Sequence, residues 1–268
     1  MLHHDTLTAE GAEPDSWILF LHGILGRGSN WRGFARRLVQ DVPRYGAILV
    51  DLRAHGESQD VPMPDDLPSA ARDLLPLVDA RPVRAVLGHS FGGKVALELM
   101  KLRPVEHLFV VDSLPAARPD PDGDTGTMRV LKALDTMPAS FVDRDAFQTY
   151  VQRLGFTKEL GAWLSQNLDA VNGGGYELGL DLSRVRTLLD DFFLRELWPV
   201  IDPPPDETTA HLVIGGRSPV FGPDDKDAAI DVAARHGSVH VHVLPDADHW
   251  VHIDDPEGLH AIVSEAIS

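Results

Sequence analysis

Six short apolar runs, WILFLHG, AILVDLR, VRAVLGHS, HLFVVDS, HLVIGG and VHVHVLPD, recur along the chain, most of them separated by amphipathic stretches of helical character. Runs rich in Val, Ile and Leu without strict alternation of polarity are what strands buried on both faces require. This alternation predicts an α/β fold, a mostly parallel central sheet flanked by helices on both faces. The connecting helices are expected near residues 29–40, 66–79, 92–102, 224–236 and 255–267.

The alternation breaks after Asp112. From about Leu114 to Pro205 the chain holds several helical patterns, a glycine run at 173–175 and a proline run at 203–205. The expected organisation is one α/β core, residues 1–113 and 206–268, interrupted by a helical lid over 114–205. At 268 residues the chain modestly exceeds the usual single-domain size, which suits a core with an insertion better than two domains. DRDAFQTYVQRLGF and KELGAWLSQNLDAV place Phe147, Tyr150, Val151, Leu154, Leu160, Trp163, Leu164 and Leu168 at helical spacing. A small helical layer of this kind is expected over the carboxyl ends of the strands, where open α/β sheets hold their ligands.

Composition mainly excludes. A formal charge of −17 opposes encounter with nucleic acid or an anionic membrane surface, so neither is an expected partner. The absence of cysteine removes disulfides, thiolate metal sites and a thiol nucleophile together. The opening MLHHDTLTAE has neither a basic start nor an apolar run, and no apolar stretch is long enough to span a bilayer. A cytoplasmic protein without stable membrane insertion is the expectation; the pair His3 and His4 is assigned no role, and the oligomeric state is left open.

The segment GHSFGG at 88–93 follows the strand VRAVL and leads into KVALELMKL, so its G-x-S-x-G pattern stands in a strand–turn–helix context. Gly88 and Gly92 have a steric reason to be there, because the sharp turn that thrusts out a serine leaves no room for neighbouring Cβ atoms. Ser90 is then the nucleophile at a helix amino end, where free N–H groups and the dipole favour negative charge on an attacked carbonyl oxygen. LHGILG at 21–26 follows the earlier strand and supplies the second half of an oxyanion site. The donors are expected to be the N–H groups of Ile24 and Phe91. His22, next to Gly23, reads as a hydrogen-bonder that fixes this loop and not as a base; with Asn30 and Trp31 it is expected to border the substrate pocket.

A serine hydroxyl needs a base to take its proton. His249, in DADHWVH after the last strand, meets that requirement, with His252 as the near competitor. His236, His240 and His242 read as structural or solvated. The third member should be a carboxylate that fixes the histidine tautomer. The loop after HLVIGG, a common place for it, carries Arg217, Ser218 and Pro219 and no acid. Asp112, one strand earlier, is the better candidate, Asp224 is the alternative and Asp248 is third. Asp51 and His55 in DLRAHGES suggest a metal or acid–base pair, but a loop-holding role under the site is the preferred reading; no metal ion is expected.

HGILGRGSNW at 22–31, DLRAHGES at 51–58, GHSFGGK at 88–94, GGRSP at 215–219 and HWVH at 249–252 together resemble the small bacterial acyl esterases related to the mitochondrial abhydrolase-domain serine hydrolases, a branch of the α/β-hydrolases. The resemblance implies an α/β-hydrolase fold with a helical lid inserted after the sixth strand. It also implies carboxylesterase or acyl-thioesterase activity on medium or long acyl groups, and no cofactor. It places the acid at Asp112, with GGxSP replacing the more usual acidic loop. Asp248 departs from the pattern, which has glycine before the catalytic histidine.

The function expected from residues and resemblance is cleavage of a small-molecule acyl ester or thioester by a Ser–His–Asp triad through an acyl-enzyme. Two alternatives stand beside it: a carbon–carbon bond hydrolase on the same scaffold, which normally takes its acid from the later strand, and a ligand-sensing module that retains the triad. A dehalogenase would need aspartate at position 90.

Overall fold

The computed structural model describes residues 1–119 and 126–268, so residues 120–125 of the expected insertion lie outside the described residues. In chain order the first half runs β1 (His4–Leu7), β2 (Ser16–Leu21), a 3-10 turn (Gly28–Trp31), α1 (Arg32–Asp41), β3 (Tyr45–Val50), α2 (Leu67–Arg72), α3 (Leu75–Ala80), β4 (Val83–His89), α4 (Phe91–Met100) and β5 (His107–Val111). After β5 come α5 (Gly126–Leu134), α6 (Arg144–Arg153), α7 (Lys158–Leu164), a short hairpin of β6 (Leu168–Ala170) and β7 (Tyr176–Leu178), and α8 (Leu182–Leu194). The chain then rejoins the sheet with β8 (Thr209–Gly215), α9 (Pro223–Arg235), β9 (Val239–Leu244), α10 (Val251–Asp254) and α11 (Pro256–Ile267).

The seven-stranded sheet has the order β1-β3-β2-β4-β5-β8-β9. β1 pairs antiparallel with β3 and every other pairing is parallel. The apolar runs are continuous because alternate residues enter two different cores. Ile18, Phe20, Ala47, Leu49, Ala85, Leu87, Phe109 and Val111 face the layer that α1 and α11 close with Leu38, Val39, Leu259 and Val263. Leu19, Leu21, Ile48, Val50, Val86, Leu108 and Val110 face the opposite layer, shared with α2, α3, α4 and α9.

The structure differs from expectation at identifiable points. The helix expected over 66–79 is two helices, because Pro76 lacks an N–H and interrupts the ladder at the start of α3. The opening residues supply β1, in which His4 is paired with Val50 on β3. Only one strand precedes β2, so in chain order the insertion follows the fifth strand of the sheet and not the sixth. Within it, Leu168 opens β6 instead of extending a helix, and Leu154 is exposed at the end of α6 while Phe147, Val151 and Leu164 are buried. The glycine run is the hairpin turn: Gly173, Gly174 and Gly175 all have positive φ, near +100°. Asp143, Thr157 and Asp181 cap α6, α7 and α8 by accepting first-turn N–H groups.

Candidate active site

β4 ends and α4 begins at Ser90, whose φ of 53° and ψ of −117° lie in a region that non-glycine residues rarely occupy. Its N–H donates to the Val111 carbonyl at 2.9 Å, which ties the turn to β5. Two glycines make the turn possible. A Cβ on Gly88 would stand 2.1 Å from the Gly92 carbonyl oxygen, and one on Gly92 would stand 2.5 Å from that of Leu21. Phe91 is the first residue of α4, where an N–H has no intrahelical acceptor. Among the described residues neither the Phe91 nor the Ile24 N–H donates to a protein acceptor.

The loop bearing Ile24 is held from below by two buried histidines. His22 Nδ1 bonds the Gly23 carbonyl at 2.7 Å and its Nε2 accepts the Leu52 N–H at 3.0 Å. His55 Nδ1 bonds the Arg53 carbonyl at 2.9 Å and its Nε2 accepts the Leu25 N–H at 3.0 Å. A carbonyl partner requires Nδ1–H and an N–H partner requires a bare Nε2, so both rings are neutral in one fixed tautomer. Burial pulls the His55 pKa down to about 3 and lowers that of His22. Asp51 completes this floor: its carboxylate accepts the N–H groups of Gly28 at 2.7 Å and Glu57 at 2.9 Å. Burial works against its charge, yet those two bonds hold its carboxyl below the usual range. Asp51 and His55 thus support backbone and do not face each other as an acid–base pair. Among the described residues no cluster of three or more His, Asp or Glu side chains is spaced to hold a metal ion.

Asp112 directly follows β5 at a φ of 42°, fully buried. Its Oδ2 lies 2.7 Å from His249 Nδ1 and accepts Ser218 Oγ–H at 2.5 Å, while Oδ1 accepts the Gly215 N–H at 3.0 Å. A carboxylate only accepts, so Nδ1 of His249 carries the hydrogen and Nε2 presents its lone pair. The loop that lacked an acid therefore contributes Ser218 and Gly215 as donors to the acid of the neighbouring strand. The role of Ser218 was not read from sequence, although the GGRSP segment contained it. Asp224 is elsewhere: it occupies the first turn of α9, a favourable place for negative charge, and is not part of the cavity wall. Asp248 accepts the backbone N–H of His249 at 2.7 Å, so its carboxylate fixes the loop and not the imidazole.

His89 lies against both His249 and His252, whose ring centroids are 4.9 and 5.1 Å from its own. His89 Nε2 donates to the His249 carbonyl at 2.8 Å, and burial, then the neighbouring His249 and His252, push its pKa well below the usual value. His252 lies against Trp31 with centroids 4.5 Å apart, is pulled down to about 4 by burial and then by His249, and has a buried Nδ1 without a partner among the described residues. Packing, not proton transfer, fits His252. Farther away, His236 pairs with Asp202 at 2.6 Å, and His242 on β9 meets His211 at 3.1 Å.

Ser90, His249, Asp112, Ile24, Phe91, His22, Asn30 and Trp31 all line one cavity of about 720 Å3 between the carboxyl ends of the strands and the segment inserted after β5. Leu160, Trp163, Leu189, Phe192 and Phe193 of that segment form its apolar wall. Sequence reading also passed over Lys94, in the last position of GHSFGGK. Its buried Nζ donates to the carbonyls of Ala116, Phe192 and Arg195 at 2.8–2.9 Å, joining α4 to both ends of the insertion. Burial lowers its pKa to about 8.

Comparison with known proteins follows the same outline. A family model described as "Alpha/beta hydrolase family" matches residues 18–262. The sn-1-specific diacylglycerol lipase ABHD11 of Mus musculus is 30% identical over 251 residues, spanning 90% of this chain and 77% of that protein. Esterase YbfF of Escherichia coli (strain K12) is 26% identical over 259 residues, spanning 94% of this chain and 93% of that protein. The solved structure of a marine microorganism esterase superposes with a TM-score of 0.80 at 22% identity, over 98% of each chain. Among the described residues no helix is long and apolar enough to cross a membrane.

Proposed function

The chain belongs to the alpha/beta hydrolase family, and we propose on that premise that it hydrolyses carboxylic esters or acyl thioesters through Ser90, His249 and Asp112. The observation that carries the reading is the convergence of three separate loops on one cavity. Ser90 stands on a strained strand-to-helix turn, and His249, oriented by Asp112 at 2.7 Å, lines the same cavity.

In this mechanism His249 Nε2 accepts the Ser90 hydroxyl proton as Oγ attacks the carbonyl carbon. The carbonyl oxygen gains negative charge between the N–H groups of Ile24 and Phe91, which are fixed before the reaction begins. Protonated His249 is stabilised by Asp112 and hands its proton to the leaving alcohol or thiol, leaving an acyl-serine. Water then gives a proton to His249, attacks the acyl carbon and releases the acid, restoring Ser90.

The segment 114–205 is read as a lid that selects the acyl group. A cavity of about 720 Å3 falls within the range of sites for drug-sized ligands. Its apolar wall favours acyl chains, each buried methylene adding up to about 0.8 kcal/mol, or roughly fourfold in kcat/KM. The names of the relatives, a diacylglycerol lipase and an esterase, fit ester substrates of this kind.

The test is hydrolysis of p-nitrophenyl esters from acetate to palmitate by wild type and Ser90→Ala, with fluorophosphonate labelling in parallel. Turnover and labelling that both vanish with Ser90→Ala are expected, with an optimum beyond acetate. Labelling at Ser90 without turnover of any ester or thioester would instead favour the carbon–carbon hydrolase or ligand-sensing alternative, and absence of labelling would overturn the nucleophile.

A further inference from the structure

Leu25 follows Ile24 in the loop and is one of few non-glycine residues with positive φ, at 62°. A leucine stays in that region only where its surroundings over-determine it. Both of its backbone groups are held, and by different parts of the molecule. Its N–H donates to His55 in the core floor. Its carbonyl accepts Asn167 Nδ2–H at 2.7 Å, across 142 residues, from the turn between α7 and β6.

Asn167 is 1% exposed and bonds through both ends of its side chain. Its Oδ1 accepts Arg27 Nε–H at 3.2 Å and its backbone carbonyl accepts the Gly179 N–H at 2.7 Å. Beside it, Gln166 Oε1 accepts Asn30 Nδ2–H at 2.7 Å, while Asn30 Oδ1 accepts the Arg27 N–H at 2.7 Å. The inserted segment thus grips the loop at Leu25, Arg27 and Asn30, immediately after the N–H that would bind an oxyanion. A buried amide of this kind is poorly replaced, because removing its donor leaves the Leu25 carbonyl buried without a partner.

We infer that Asn167 is a positioning residue: by holding the Leu25 carbonyl it sets the Ile24 N–H, so that hydrolytic competence requires the inserted segment to be docked on the loop. The chemical side of this rests on the reading of Ile24 as an oxyanion donor. The loop then has two supports, one from His55 in the core floor and one from Asn167 in the inserted segment, and loss of the second relaxes the oxyanion site.

Two variants separate positioning from packing. Asn167→Ala removes both side-chain bonds; Asn167→Asp keeps volume and the Arg27 contact but replaces the donor facing Leu25 with an oxygen. The readouts are amide hydrogen exchange across residues 24–27, thermal melting, and kcat and KM for p-nitrophenyl butyrate. Both variants are expected to exchange at least about 10-fold faster at Leu25. kcat is expected to fall about 10- to 100-fold with KM within about 2-fold, somewhat less than deletion of an oxyanion donor outright. Affinity for an alkyl trifluoromethyl ketone, whose serine adduct carries the oxyanion, should fall in parallel with kcat.

Exchange unchanged in both variants, or a lowered melting temperature with kcat and ketone affinity intact, overturns the inference. Exchange does not depend on catalysis, so the two readings fail separately. A wild type that neither turns over esters nor labels at Ser90 refutes the hydrolase and with it the oxyanion role, whereas active wild type with unaltered Asn167 variants refutes the positioning alone.

Discussion

Lowering the pH from 7 to 5 should remove a large part of this protein's stability, because its fold keeps several imidazoles neutral in its interior. In the unfolded chain these groups titrate near 6.5; in the folded chain His55 is pulled down to about 3 and His252 to about 4. Between those values the unfolded state binds more protons than the native state. Stability is therefore complete above pH 6.5, falls as pH drops below it, and levels off only below the folded values. At pH 5 the loss is about 2 kcal/mol for each of these two residues. His22 and His89, buried and lowered in the same direction, add to it. The total is a substantial fraction of the 5–15 kcal/mol typical of a domain. Asp51, whose carboxyl is held below the usual range, adds a further loss only below about pH 4, so pH 5 isolates the histidines. Urea unfolding followed by tryptophan fluorescence at pH 7, 6 and 5 measures the effect. In His252→Phe, a residue whose ring rests on Trp31 and whose buried Nδ1 has no partner among the described residues, the pH 7-to-5 loss should shrink by about 2 kcal/mol. A stability that is flat from pH 7 to 5, or an unchanged slope in His252→Phe, would refute the claim that burial keeps these rings neutral.

Gly92→Ala is expected to destabilise the chain by about 1–3 kcal/mol and to depress esterase activity, since the new Cβ would meet the Leu21 carbonyl oxygen at 2.5 Å and displace the serine turn. A normal melting temperature with normal turnover would show that the turn has slack. Ser218→Ala removes a donor from the buried Asp112 carboxylate and should cost about 1.5–3 kcal/mol in urea unfolding while lowering kcat for short esters. Equal stability and kcat would mean that Gly215 and His249 suffice to hold the acid.

The legible parts of this fold were those with local physical causes. Strands buried on both faces had to be continuously apolar, and Ile18 to Leu21 or Ile48 to Val50 show it in four residues or fewer. The serine turn was legible because its steric demand falls on Gly88 and Gly92, within two residues of Ser90. Asp224 remained an alternative acid because a first-turn cap and a triad member look the same in one dimension. Ser218, Lys94 and Asn167 went unread because their partners lie far along the chain: Asp112 is 106 residues from Ser218, and Leu25 is 142 from Asn167. Even the two-helix break at Pro76 was blurred by an apolar pattern that runs through it.

Sequence alone determined the layered α/β architecture, the strand–turn–helix placement of Ser90 and the neighbourhood of His249, because period, glycine sterics and chain order act over a few residues. Tertiary structure decided which carboxylate meets His249, which neutral tautomers hold the loop at Ile24, and how the inserted segment grips it. Those outcomes depend on hydrogen-bond geometry between segments that only the closed sheet brings together, and no local pattern encodes a distance across the fold.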